Sequence, residues 1–411
     1  MRKILIIGAG QSGLQLALTL LDHDYEVTLM TARTSEETRY GRVMSTQCMY
    51  DHALQIERDH DLNLWEKEAV KVEGVGLSIA GPDSKRVLDW VGRLDRYAQS
   101  VDQRLKMAAW QDLFEDRGGK LILTGVTTSD LNALAGRYDL TIVAAGKGEL
   151  VGLFDRDTSR SPYATPQRSL SVVYVHGMEP RPEHPDFAAL RWNIVPGAGD
   201  LFVGPAYTLS GDCDILFWHG IPGGPMDCWH DHPGPAEHLK RTLELMRAFV
   251  PWEYARCRHV ELTDAKASLV GGYAPTVRRP VGELPSGNPV LGMADVVVAN
   301  DPITGQGANN AARCAEVYLK CILDRGDQPF DRQWMQQTFD EYWKWAGPIT
   351  RWTNSMLKPP PPHVLNMLGA ASQIPEVANR IANGYANPMD YQDWYMNPDK
   401  AEAYLASFTR V

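Results

Sequence analysis

The sequence predicts an α/β protein: a Rossmann-like dinucleotide-binding domain, a second domain of mixed β-sheet and a C-terminal helical segment. Three observations predict it. The chain opens on a short apolar run that ends in GAGQSG at 8–13. Its middle is rich in short apolar runs divided by glycine and proline turns. A second glycine-rich loop, NDPITGQGANN at 300–310, opens another helix late in the chain.

The first unit is a β-α-β arrangement. KILII at 3–7 is a fully buried parallel strand by its pattern, the leucines from Leu14 to Leu21 belong to a helix, and YEVTLM at 25–30 is the next strand. Between them, Gly8 serves the tight turn, Gly10 lets the backbone approach a pyrophosphate, and Gly13 lets helix and strand pack closely. Ala9, Gln11 and Ser12 complete the loop, and the N–H groups of the helix N-terminus face the anion. The acidic residue expected about 20 positions on, for the ribose hydroxyls, is missing. Thr31 and Arg33 occupy that region instead. This pattern alone does not separate FAD from NAD(P).

Further along, residues 70–94 read as antiparallel strands and 101–117 as a helix ended by Gly118-Gly119. The runs at 120–124 and 138–146 are buried strands that rejoin the N-terminal sheet. Residues 169–177, 200–209 and 214–222 form a β-rich region, followed by a helix near 236–250. PVLGMADVVV at 289–298 reads as one strand leading into the late loop, and a helix runs over 308–323. Pro359 to Pro362 form a stiff link to the C-terminal segment. The implied division is 1–165 for the first part of the dinucleotide domain with a β-rich insertion near 70–95, 166–285 for the second domain, 286–325 for the remainder of the first, and 326–411 for the helical segment.

Bulk properties narrow the function. The 411 residues allow two or three domains, and 44% apolar with 22% charged is ordinary for a globular protein. A net charge of −10 without a basic block argues against nucleic acid or an anionic membrane as partner. The six cysteines include no CxxC pair and read as reduced thiols of a cytoplasmic protein. His230-Asp231-His232 lies in a proline-rich loop and reads as solvated, so no metal site is expected. No stretch approaches the roughly 18 apolar residues of a membrane span.

The late loop supplies the specific signal. Asp295 precedes Asp301-Pro302-Ile303-Thr304-Gly305-Gln306-Gly307-Ala308-Asn309, a glycine-rich turn that offers backbone N–H groups to an anion. An N-terminal GxGxxG, a late G-x-x-D and D-P-x-x-G-Q-G-A-N together resemble the FAD-dependent aromatic hydroxylase fold. More narrowly, the chain resembles the two-component styrene and indole monooxygenases over nearly its whole length. YDLTIVAAGKGEL, PQRSLSVVY and TRWTN at 350–354 also match that family.

The resemblance implies FAD as cofactor. Gly8, Gly10 and Gly13 would hold its pyrophosphate, Asp295 its ribityl or phosphate region, and Gly305 to Asn309 its ring, with Arg42 and Arg104 as further contacts. Pro302, Ile303 and Thr304 would wall the reacting face. The wider group carries an Asp-Gly motif tied to nicotinamide nucleotide where this chain has Ala145-Gly146-Lys147. A separate NADH-dependent flavin reductase is therefore expected to deliver reduced FAD, with O2 as co-substrate. Ser45, Gln47 and Met49 would face the substrate. Styrene-preferring members carry asparagine, valine and histidine at these places, so the resemblance leans toward the indole type. The expected reaction is epoxidation of an aromatic-conjugated C=C bond, most simply indole to its 2,3-epoxide, the precursor of indoxyl and indigo; styrene epoxidation is the alternative. A flavin-dependent halogenase is a weaker reading, because RWNIVP at 191–196 matches its WxWxIP motif only in part. A non-catalytic FAD-binding protein is another. A homodimer is left open.

Overall fold

The computed structural model describes residues 1–146 and 148–408; Lys147, part of the Ala-Gly-Lys segment above, lies outside them. Two sheets organise the chain. The first has six strands in the order Val281–Glu283, Pro289–Gly292, Leu140–Val143, Lys3–Ile7, Glu26–Thr31 and Lys120–Leu123. All pairs are parallel except the edge hairpin of Val281–Glu283 with Pro289–Gly292. Strands buried on both faces need continuous apolar runs, and Ile4 to Ile7 and Leu140 to Val143 are buried throughout. The N-terminal helix Gln11–Leu21 and the late helix Gly307–Arg325 pack against each other, and the Gln15 amide donates to the Ala312 carbonyl at 2.9 Å.

The second sheet has eight strands. Val72–Ala80 and Arg86–Ala98, the insertion within the first unit, belong to this sheet: Val72–Ala80 pairs in parallel with Ala188–Val195. From there Gly199–Thr208, Gly211–Gly220 and Ser169–His176 follow, antiparallel. One core fills its face toward the C-terminal helices, and another lies under the helix Pro235–Phe249.

The C-terminal segment is not an appendage. Helix Pro375–Ala386 lies on the edge strand Arg86–Ala98 so closely that a Cβ at Gly92 would stand 2.1 Å from the Ala378 carbonyl oxygen. The Asn379 and Asn383 side-chain oxygens accept the Arg93 and Asp95 N–H groups at 2.8 and 2.9 Å. These amides satisfy the open strand edge that would otherwise invite pairing with another chain.

Two readings are corrected. Residues 289–298 are not one strand: after Gly292 the chain turns, with Ala294 left-handed (φ 50°) and Ala294–Val296 in a 3-10 turn. The four prolines are not all linker, since Pro361 precedes and Pro362 opens the helix Pro362–Ala371. Among the described residues, no helix is long and apolar enough to cross a membrane.

Candidate active site

The first glycine loop has the geometry its residue types require. Gly8 sits at φ 114°, and a Cβ there would press on the Ala144–Ala145 backbone at 2.8–2.9 Å. At Gly13 a Cβ would lie 2.0 Å from the Gly8 carbonyl oxygen, so strand and helix meet backbone to backbone. At Gly10 it would meet nothing within 4 Å. That open flank borders the start of the N-terminal helix, which has no side-chain cap and no acidic residue in its first turn. The first-turn N–H groups therefore lack helical partners and are free for an anion. The contrast is internal: helices Ser35–Arg39 and Thr128–Leu134 both carry full capping boxes.

Beneath this loop Gln11 is buried, and its amide donates to Glu57 at 3.1 Å. Glu57 is in turn held by Lys106 Nζ at 2.8 and 2.9 Å, both side chains inaccessible to solvent. Sequence reading did not anticipate this pair. Ser12 is buried as well, and Ala9 packs against the first core. Thr31 is half-buried at the end of its strand, and Arg33 is exposed two residues on.

The late loop repeats the design. Asp301 is buried and accepts the Ile303 N–H at 3.0 Å, which fixes the turn Pro302–Thr304. Burial pushes the Asp301 carboxyl above its usual range, with the nearby His219 opposing. Gly305 is left-handed (φ 63°), and neither Gly305 nor Gly307 has anything within 4 Å of its Cβ direction. The helix that follows again lacks a side-chain cap and an early acidic residue. Ile303 and Thr304 are buried and Pro302 half-buried; the Thr304 hydroxyl meets that of Thr353 at 2.8 Å. Gln306 donates to the Tyr385 carbonyl at 2.9 Å, leaving its own buried Oε1 without a partner. Asp295 is exposed opposite Gly146, beside the Ala144–Ala145 stretch that touches Gly8.

Asn309 joins the two predicted halves of the site. Its Oδ1 accepts the Tyr50 N–H at 2.9 Å, and its Nδ2 donates to the Cys48 carbonyl at 2.8 Å and to Gly305 at 3.2 Å. The segment 45–50 is thereby fastened to the first turn of the late helix. The side-chain amide of Asn309 is thus spent on the protein. Ala308 is half-buried and packs against Met49, Ala53, Leu54 and Ala312.

The other expected site residues have partners of their own. Met49 is fully buried in that cluster, and its backbone bridges that of Gln99. Ser45 is exposed, and its hydroxyl donates to its neighbour's carbonyl at 2.9 Å. Arg104 is buried and forked between Asp102 and Asp264, with Nη2 at 2.8 and 2.9 Å, so its donors are already committed. Arg42 is exposed and lies within electrostatic reach of His238, on the side of the second sheet.

Gln47 keeps an unspent group. Its Nε2 donates to the Val101 carbonyl, and this assigns the amide orientation; its Oε1 is buried and unpaired. Close to this seam stands an aromatic layer that sequence reading did not single out. Tyr385 stacks on Trp192 at 4.9 Å and meets Trp352 edge-on at 5.1 Å, with Tyr50 at 6.3 Å.

These features suit a flavin dinucleotide: two uncapped helix starts, each beside glycines with open flanks, on helices that pack together. Among the described residues no cluster could hold a metal ion.

Comparison with known proteins agrees. Residues 146–256 match the family "Styrene monooxygenase A putative substrate binding domain". The chain is 30% identical to Styrene monooxygenase StyA of Pseudomonas fluorescens, covering 97% of this chain and 96% of that protein. It is 29% identical to Styrene monooxygenase StyA of Pseudomonas sp, over 99% and 98% of the two chains. Among solved structures, a triple mutant of the flavin-dependent brominase Bmp2 superposes with a TM-score of 0.63 at 15% identity, over 100% of each chain. p-Nitrophenol 4-monooxygenase PnpA from Pseudomonas putida DLL-E4 gives 0.62 at 12% identity, over 94% of this chain and 98% of that one. These two likenesses establish the α/β fold of FAD-dependent aromatic hydroxylases and halogenases. The full-length identity establishes more: the chain belongs to the styrene monooxygenase A family of FAD-dependent monooxygenases.

Proposed function

We propose that this protein takes up reduced FAD made by a separate NADH-dependent flavin reductase and uses O2 to epoxidise a C=C bond conjugated to an aromatic ring. The observation that carries this reading is the Asn309 bridge. It ties the segment beside Gln47 to the uncapped start of the late helix, so that substrate and ring sites share one rigid support. Gly8 to Gly13 would hold the pyrophosphate and the loop Pro302 to Gly307 the ring, with Asp295 toward the linking chain. When bound, reduced FAD supplies the activation of O2. The chain's own residues do the rest. The first-turn N–H groups of the late helix stabilise negative charge by about 0.3–1 kcal/mol or more. Tyr385, Trp192 and Trp352 keep the seam apolar and exclude water, and Pro302 to Thr304 fix the approach to the ring.

Two substrates have support. The unpaired Oε1 of Gln47 favours a ligand that donates one N–H, and indole does so; its product would be the 2,3-epoxide, precursor of indoxyl and indigo. The hydrogen bond would contribute about 0.5–1.5 kcal/mol. Styrene is the second reading, favoured by the names of both bacterial relatives. The test mixes purified protein, chemically reduced FAD, air and either substrate, without nicotinamide or a second protein. Oxygenated indole or styrene oxide is the expected product. Stoichiometric hydrogen peroxide with both substrates intact would overturn the proposal.

A further inference from the structure

The TRWTN stretch is left unexplained by the flavin site, and its two faces point to different things. It lies in the long helix Arg332–Met356. Trp352 and Thr353 turn inward, onto Tyr385 and Thr304. Thr350, Arg351 and Asn354 instead line a cleft of about 720 Å³ shared with the loop at 159–163 and with Lys358.

The cleft's charge is one-sided. Arg160, Arg351 and Lys358 line it, and no carboxylate does. Arg160 lies 4.5 Å above the Trp343 ring and has Asp157, outside the lining, at 3.5 Å. Among the described residues, neither the Arg351 guanidinium nor the Lys358 ammonium enters an ion pair or a hydrogen bond. A chain with net charge −10 has carboxylates to spare, yet places none here. The C-terminal dipole of the helix accounts for a cation near its last turn, not for three around one concavity. A second observation is independent of charge: the Thr350 hydroxyl, in a residue 5% exposed, and Asn354 Oδ1 are buried without partners. Unpartnered buried polar groups beside two unpaired cations, with Arg160 as a third, suit the binding of an anion.

We propose that this cleft binds a phosphate-bearing organic anion of nucleoside diphosphate size, the cations taking the phosphates and Tyr163 flanking a planar group. The site shares no residue with the two glycine loops and does not depend on the flavin reading. Only one helix wall separates it from Thr304.

The test is calorimetric titration of the full chain, first saturated with FAD, using inorganic pyrophosphate and ADP. Both should still bind, ADP more tightly. The double variant Arg351→Ala with Lys358→Ala should weaken both at least tenfold while melting temperature and FAD affinity stay unchanged, since both side chains are exposed. Loss of all binding once FAD is present would place the anion in the glycine loop and overturn the proposal. So would an unchanged affinity in the double variant. Equal affinity for pyrophosphate and ADP would overturn its nucleotide part. If FAD does not bind at all, the same variant comparison on the free protein still reads the cleft.

Discussion

Replacing Asn309 with alanine tests the link on which the site depends. The side chain satisfies two buried backbone groups, the Tyr50 N–H at 2.9 Å and the Cys48 carbonyl at 2.8 Å. Each buried group left unpaired costs about 1–3 kcal/mol, so the two together cost about 2–6. The bond to Gly305, at 3.2 Å on a half-buried residue, adds little because water can replace it. Alanine is the better helix former by roughly 0.5 kcal/mol, which offsets a small part. The expected net loss is about 2–5 kcal/mol, measured by urea unfolding of variant and parent. FAD affinity, read from flavin fluorescence, should fall as well, since the late loop loses its anchor. Asn309→Asp sharpens the case. It keeps the acceptor for Tyr50 but sets a negative oxygen against two carbonyls, so it should be no more stable than the alanine variant. A loss below about 1 kcal/mol with unchanged FAD affinity would refute the reasoning.

The remaining predictions follow from single geometries. Gly10→Ala should leave the melting temperature within about 2 °C, because its Cβ meets nothing, yet lower FAD affinity at least tenfold; Gly13→Ala should destabilise the fold itself, its Cβ lying 2.0 Å from a carbonyl oxygen. Lys106→Met should cost about 3–5 kcal/mol by stranding the Glu57 carboxylate, and adding Glu57→Gln should recover most of that in a denaturation assay. Burial, then Arg241 and Arg42, lowers the His238 pKa to about 4. A histidine depressed from 6.5 keeps its full stabilisation above pH 6.5 and loses it as pH falls toward 4, on the order of 3 kcal/mol. Unfolding free energies across that window should therefore flatten in His238→Gln, and equal slopes in both proteins would reject this. Gln47→Val should move the product ratio from indole toward styrene when both are supplied; an unchanged ratio removes the N–H argument.

How much of this was legible beforehand depends on whether the constraint is local. Gly8 and Gly13 were readable because backbone contact excludes a Cβ, and that exclusion leaves the same residue at the same spacing wherever it occurs. The late loop was readable for a different local reason: Gly305 adopts a left-handed backbone (φ 63°) that favours glycine. The partners of Arg104 and Asn309 were not legible because a side chain's partner is a matter of tertiary position. An arginine near a dinucleotide loop and an arginine between Asp102 and Asp264 look alike in one dimension. Asn309 follows a GQG turn, where an amide facing the ligand is the simple reading, yet the chain brings residues 48–50 to it from more than 250 positions away. The strand break at Ala294 was hidden because apolar residues flank it on both sides, Val290 and Leu291 before and Val296 to Val298 after, and the left-handed backbone there interrupts the run.

The aromatic layer was invisible for a related reason, and it bears on how the site works. Tyr50, Trp192, Trp352 and Tyr385 come from four distant stretches and share no spacing. What assembles them is the helix Pro375–Ala386 lying on the second sheet, held by Asn379 and Asn383 at the edge of Arg86–Ala98. Tyr385 is on that helix, and its carbonyl holds Gln306 at the start of the late helix. The C-terminal segment thus reaches the candidate ring site by two routes, through Tyr385 to Gln306 and through Thr353 to Thr304. A truncation before Pro375 would remove the wall and one anchor of the late loop together. Damage to oxygen transfer should then exceed what the lost stability alone accounts for, appearing as peroxide released per FAD oxidised.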